Sequence, residues 1–135
     1  MSKPSTEDLN QLLVPPLRIA VVGASPNPQR PSHWISKFLR NSGFIIVPVN
    51  PGHDKLFGLT CYPDVESIPE DVDVVNIFRR SDQVLPIVKG TLLKQGVKLI
   101  WMQDNVYNEE AAALAETAGV AVVMNDCIFR FLRNR

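Results

Sequence analysis

The stretch "LRIAVVGASPNPQRPSHW", residues 17–34, decides the fold. Leu17 to Val22 is a continuous β-rich apolar run, not an alternating one, the pattern of a strand covered on both faces in a parallel sheet. Gly23 ends the run. Pro31 suits the first turn of a helix that continues to about Asn41 and closes at Gly43. Strand, tight turn and helix N-terminus together can seat an anion on backbone N–H groups. The turn nevertheless departs from the G-x-G-x-x-G fingerprint, since Gly23 is followed by Ala24, Ser25, Pro26, Asn27 and Pro28, with Arg30 just beyond.

The same punctuation repeats outward from this unit. Phe44 to Val49 is a second buried-type strand ending at Asn50-Pro51, and Gly52 to Pro69 is polar and turn-rich with short extended pieces at most. Val72 to Phe78 is another apolar run. Ser81 or Asp82 is expected to cap a helix to about Gln95, with Gly96 as its stop and Val97 to Met102 as the next strand. Asn108 opens an alanine-rich helix to Ala118 that Gly119 terminates, and Val120 to Met124 is the last strand. Ahead of all this, Thr6 to Val14 reads as a short helix with Thr6 as its cap and Leu9, Leu12 and Leu13 on one face, stopped by Pro15-Pro16. The alternation predicts an α/β fold, a Rossmann-like doubly wound, mainly parallel sheet of about five strands with helices on both faces.

The 135 residues allow one real core, so the expectation is a single domain over 1–135, with 1–16 as an N-terminal helix and lead-in. Fourteen basic residues balance fourteen acidic ones, which leaves no global positive field to draw in nucleic acid. An anionic ligand must then be met by local arginines and backbone N–H groups, which points to a small molecule. No basic segment followed by an apolar run opens the chain, and no stretch approaches the roughly 20 apolar residues of a bilayer span, so a cytoplasmic location is expected. Cys61 and Cys127 lack C-x-x-C spacing and indicate neither zinc nor a redox pair.

Ligands of such sheets bind outside the C-terminal strand ends, where strand order reverses. At the first end, Gly23 turns the backbone, small Ala24 and Ser25 leave N–H groups open, and Arg30 can add a forked contact to a phosphate. A tight turn without a ligand would look similar. At the second, Val49-Asn50-Pro51 stands where an NAD enzyme commonly places an acidic residue; a neutral amide tolerates an adenosine carrying extra negative charge, although prolines there also simply end a strand. At the third, Phe78-Arg79-Arg80 sets a ring beside two guanidinium groups. At the fourth, Trp101 reads as packing with one edge toward the site, and Gln103 offers an amide.

No G-x-x-x-x-G-K-[ST] run, H-E-x-x-H motif or cysteine–histidine cluster is present. His33 and His53 lack a nucleophile setting, and Cys127, which stands at a strand end where it could face a bound thiol, reads instead as a small core residue. The apolar Phe129, Phe131 and Leu132 suggest a docking surface.

Read together, the segments "VVGASPNPQRPS", "IIVPVNP", "GLTCYPDVESIPEDVDVVNIFRR", "VKLIWMQ", "NEEAAALAETAG" and "VVMNDC" resemble the small single-domain CoA-binding proteins, similar to the CoA-binding domain of the succinyl-CoA synthetase alpha subunit. The resemblance runs from about Arg18 to Cys127. It implies a domain that binds coenzyme A, with the first loop on the pyrophosphate, the V-N-P turn near the adenosine and the F-R segment beside the ligand. Carried over by position, the cofactor-binding residues are Gly23, Ala24, Ser25, Arg30, Val49, Asn50, Pro51, Phe78 and Arg79, with Gln103 added from the strand-end reading; no residue is assigned to catalysis or to a metal. The chain departs from the family at Asp104-Asn105-Val106, where many members have a glycine, and at Phe129-Arg130-Phe131, where many have a glutamate. The expected function is binding of coenzyme A or an acyl-CoA without catalytic apparatus, as a sensor or accessory module, alone, as a homodimer or with an enzyme partner. An NAD(P)-binding oxidoreductase and a partner-dependent acyl-CoA synthetase-like subunit are the alternatives.

Overall fold

A computed structural model describes residues 3–135, so the first two residues of the 1–16 lead-in lie outside the described residues. Five parallel strands form the central sheet: β1 (Arg18–Val22), β2 (Ile45–Val49), β5 (Val74–Ile77), β6 (Leu99–Met102) and β7 (Ala121–Val123). A separate two-stranded hairpin, β3 (Lys55–Leu56) and β4 (Leu59–Thr60), occupies the stretch expected to be loop. The helices are α1 (Thr6–Leu12), α2 (Pro31–Asn41), α3 (Val84–Thr91), α4 (Glu109–Thr117) and α5 (Ile128–Arg133).

Period-two alternation divides each strand between two cores. From β1, Ile19 and Val21 pack with Leu9, Leu13, Ile35, Leu39 and Ile128 of α1, α2 and α5 and their flanks. Ala20 and Val22 point the other way, into Val84 and Val88 of α3 and Ala111, Ala112 and Ala115 of α4. Both faces of the sheet are therefore buried, which is why its strands are continuously apolar. The alanines of α4 let that helix approach the sheet closely.

Several boundaries differ from the sequence reading. The cap of α1 is Ser5, not Thr6: its hydroxyl accepts from Asp8 N–H at 3.0 Å while the Asp8 carboxylate accepts from Ser5 N–H at 3.2 Å, a reciprocal capping box. Neither Ser81 nor Asp82 caps α3. Residues Ser81–Gln83 form a 3-10 turn ahead of the helix, and the Ser81 hydroxyl accepts from Tyr107 N–H at 3.0 Å instead. The helix itself stops at Thr91, earlier than Gln95. Asn108 does cap α4, accepting from Ala111 N–H at 2.9 Å.

The strand order is β2-β1-β5-β6-β7. The chain winds outward from β1 to β2, then returns to the other side of β1 and winds outward again. The reversal falls between β1 and β5, and the crevice at their carboxyl ends is where such a sheet accepts a ligand.

Candidate functional site

Gly23 and Phe78 meet at that crevice. Gly23 has φ +87°, and a Cβ there would lie 2.7 Å from the Phe78 carbonyl oxygen, so only glycine lets the two strand ends come together. Gly23 N–H donates to Val49 O at 2.9 Å and Phe78 N–H to Val22 O at 2.8 Å, knitting the ends of β2, β1 and β5 into one edge. The N–H groups of Ala24 and Ser25 have no acceptor among the described residues. They border a polar cavity of about 320 Å³ lined also by Gly23, Arg30, Ser32, Asn50, Phe78 and Arg79. Arg30 occupies the N-cap position of α2 with its side chain uncommitted to the cap, so a guanidinium and the positive end of an eleven-residue helix share this cavity.

The loop is braced from within. Ser25 Oγ accepts from Asn27 N–H at 3.1 Å, and Asn27 Oδ1 from Gln29 N–H at 3.0 Å. His33 Nδ1 lies 2.8 Å from Ser25 O; a carbonyl only accepts, so Nδ1 carries the proton, and the ring edge rests on Phe57. Asn50, expected to offer a free amide to a ligand, has both ends engaged: Nδ2 donates to Ala24 O and Oδ1 accepts from Gly52 N–H, each at 2.8 Å. It borders the polar cavity as a brace for the first loop.

The two arginines after β5 separate. Arg80 is exposed and pairs with Asp82 at 3.4 Å, whereas Arg79 lies between the polar cavity and a second one of about 380 Å³. Val22, Val49, Pro51, Val65 and Ile87 make apolar walls in this slot, with Asp64, Glu66 and Gln83 at its polar positions. Val49 and Pro51 thus belong to the slot and Ala24 to the polar seat.

On the opposite side, Phe78 and Pro31 border both the polar seat and a third, larger cavity of about 640 Å³. Trp34, Ile35, Gln103, Cys127 and Phe129 line this chamber, with Asp104, Arg130 and Arg133 also on its wall. Phe129, Phe131 and Leu132, the apolar residues read as a docking surface, are half-buried and pack against the chain's own core. Phe129 stands edge-on to Trp34 at 5.1 Å and Phe38 at 4.8 Å, and Phe131 lies 5.8 Å from Trp101, because the tail folds into α5 against α2 and the sheet. Trp101 is fully buried, its Nε1–H donating to Asp126 O at 2.9 Å, so no edge of it reaches the site. Gln103 is 4% exposed, and its Oε1 accepts from Ile128 N–H at 3.1 Å.

Charge fastens the helix from outside. Arg130 grips both Asp104 oxygens at 2.9 and 3.1 Å and reaches Asp126 at 3.0 Å, and Lys3 reaches Asp126 at 3.3 Å. Burial raises the Asp126 carboxyl, but Cys127 N–H, Lys3 and Arg130 outweigh it and hold the group below its ordinary value. Arg130 is raised by Asp104. Burial pushes the Cys61 thiol up, away from the strand-end cavities.

Slot and seat share Arg79, and seat and chamber share Phe78 and Pro31, so the three adjoin in a row as a groove along the carboxyl edge of the sheet. Sequence reading found the middle of it. It missed Trp34, Ile35 and Phe129 on one side and Gln83 and Ile87 on the other. The i, i+4 spacings Trp34/Phe38 and Gln83/Ile87 were the available signals.

A doubly wound parallel sheet whose strand order reverses between β1 and β5 defines the Rossmann-like class of α/β domains. Within it the chain belongs to the family described as the CoA binding domain, which matches residues 17–132. It is 38% identical to the uncharacterized protein YneT of Bacillus subtilis over 95% of this chain and 94% of that protein. It is 34% identical to acetate–CoA ligase [ADP-forming] II of Archaeoglobus fulgidus over 81% of this chain but only 16% of the ligase. Among solved structures, a hypothetical protein from Pyrococcus horikoshii superposes with a TM-score of 0.92 at 35% identity, covering 99% of this chain and 96% of that one.

Proposed function

We propose that residues 1–135 are a single domain that binds coenzyme A, or an acyl-CoA, along this groove and works as a sensor or accessory module in the cytoplasm. The observation that carries the reading is the polar seat, where the unpartnered N–H groups of Ala24 and Ser25, the start of α2 and the guanidinium groups of Arg30 and Arg79 converge. That set suits a pyrophosphate, which needs donors and positive charge more than it needs three glycines. The slot beside Val49, Pro51 and Ile87 takes the adenine, and the pantetheine arm passes Phe78 and Pro31 toward Gln103. Family membership supports the choice of coenzyme A over NAD(P), as does the absence of an acidic residue among Val49, Asn50 and Pro51. Among the described residues no helix is long and apolar enough to cross a membrane.

Thermal shift with coenzyme A, acetyl-CoA, NAD and NADP tests this, because a ligand bound only by the folded state raises the melting temperature. Stabilisation by the two CoA compounds alone is the expected result. Stabilisation by NAD without coenzyme A overturns the proposal. A second reading, a module that acts beside a separate enzyme partner, is favoured by the Archaeoglobus ligase, in which a like segment forms a small part of a longer chain. Co-purification with the other catalytic segments of such an enzyme would distinguish it.

A further inference from the structure

We propose that the chamber under α5 is an acyl pocket, so that the favoured ligand is an acyl thioester with an unbranched apolar acyl group and not free coenzyme A. This rests on the coenzyme A reading of the adjoining seat.

The chamber is about twice the volume of the seat, about 640 against 320 Å³, and its character is different. Trp34, Ile35, Phe78 and Phe129 present rings and an aliphatic side chain that reward burial of hydrocarbon, and the Arg133 guanidinium on the same wall stands over the Phe129 ring at 5.8 Å. The one acidic side chain on the wall, Asp104, has both oxygens gripped by the Arg130 fork.

Gln103 supplies the polar fixture. The Ile128 N–H identifies which end of the amide is oxygen, so the Nε2 end is the other; it makes no hydrogen bond to any described residue, and Gln103 borders the chamber. A thioester carbonyl is a neutral acceptor that this free donor can bond without bringing charge into the chamber. The Cys127 sulfur and the Phe78 ring offer polarisable surface to the thioester sulfur. Continuity with the seat through Phe78 and Pro31 places this fixture on the path of a ligand anchored by its phosphates.

Isothermal titration of the full chain with free coenzyme A, acetyl-, butyryl-, hexanoyl- and succinyl-CoA decides the matter. Affinity is expected to rise along the apolar series, by up to about 4-fold for each methylene that enters the chamber, and succinyl-CoA is expected to bind more weakly than butyryl-CoA. Gln103→Glu, which keeps the acceptor for Ile128 N–H and removes the donor, should reduce the ratio of hexanoyl-CoA to coenzyme A affinity by about 10-fold. Trp34→Ala, at a position 40% exposed, should reduce the same ratio and keeps the test open if Gln103→Glu fails to fold. Equal or weaker binding of the apolar esters, or tighter binding of succinyl-CoA than butyryl-CoA, overturns the acyl pocket and leaves the coenzyme A reading intact. Failure of every compound to bind overturns both.

Discussion

Asn50, in the loop after β2, donates from Nδ2 to the carbonyl oxygen of Ala24 in the loop after β1 at 2.8 Å, and accepts from Gly52 N–H at the same distance. One side chain therefore sets both the shape of its own turn and the position of the polar seat. Asn50→Ala is expected to cost about 1–2 kcal/mol of stability and to weaken coenzyme A binding by about 10-fold through a loosened seat. Urea unfolding and calorimetric titration of the same preparation check the two effects together.

Gly23→Ala tests the crevice itself. The added Cβ meets the Phe78 carbonyl at 2.7 Å and the backbone sits at φ +87°, so the strand ends must part. The expected loss is roughly 2–3 kcal/mol of unfolding free energy, read from the urea midpoint at unchanged slope.

The three cationic side chains of the rim should separate in a binding assay. Arg30→Ala and Arg79→Ala each remove a charge-assisted contact worth about 1.5–3 kcal/mol, and each should flatten the salt dependence of coenzyme A binding. Arg80→Ala should change affinity little, because Arg80 is exposed and already paired with Asp82. Titration at two ionic strengths reports both quantities.

Acid should loosen the seating of α5. The Asp126 carboxyl is held below its ordinary value, so its contribution is fully present above the unfolded value of about 3.9 and is lost as pH falls through the lower folded value. The pairs with Lys3 and Arg130 are partly exposed, so the effect is modest. The protection factors of the Ile128 to Arg133 amides, each rate divided into its intrinsic value at that pH, are expected to fall between pH 6 and pH 3 in the wild type and to be lower already at pH 6 in Asp126→Ala.

Asn76 makes the opposite kind of prediction. It is fully buried in β5 between Val21 and Trp101, and neither side-chain atom has a partner among the described residues. Asn76→Leu is expected to raise stability by about 1–2 kcal/mol, measured by the urea midpoint; a loss of stability would show that the amide is satisfied in solution.

The unit from β1 through α2 was legible because Gly23, Pro31 and Gly43 punctuate it at positions where each residue's backbone is required. The start of α3 was misread because the Ser81 hydroxyl has a second suitor, Tyr107 N–H, that only the folded chain brings near. The cap of α1 was displaced by one residue, although Ser5 and Asp8 stand at capping-box spacing. Asn50 was readable by type and place, but its bond to Ala24 lies across the crevice and could not be read from spacing. The packing of the tail was not legible. Apolar residues at 128, 129, 131 and 132 suit a docking patch or a packed helix equally well until Trp34, Phe38 and Trp101 are known to lie opposite them.

The two tryptophans of the chain stand at different depths on the same side of the sheet: Trp34 on the wall of the chamber, 40% exposed, and Trp101 sealed beneath α5. The protein thus carries its own optical gauge. Emission from Trp34 follows what occupies the chamber, that from Trp101 follows whether the terminal helix remains seated, and the two can be told apart by colour and by accessibility to a water-borne quencher without attaching a dye.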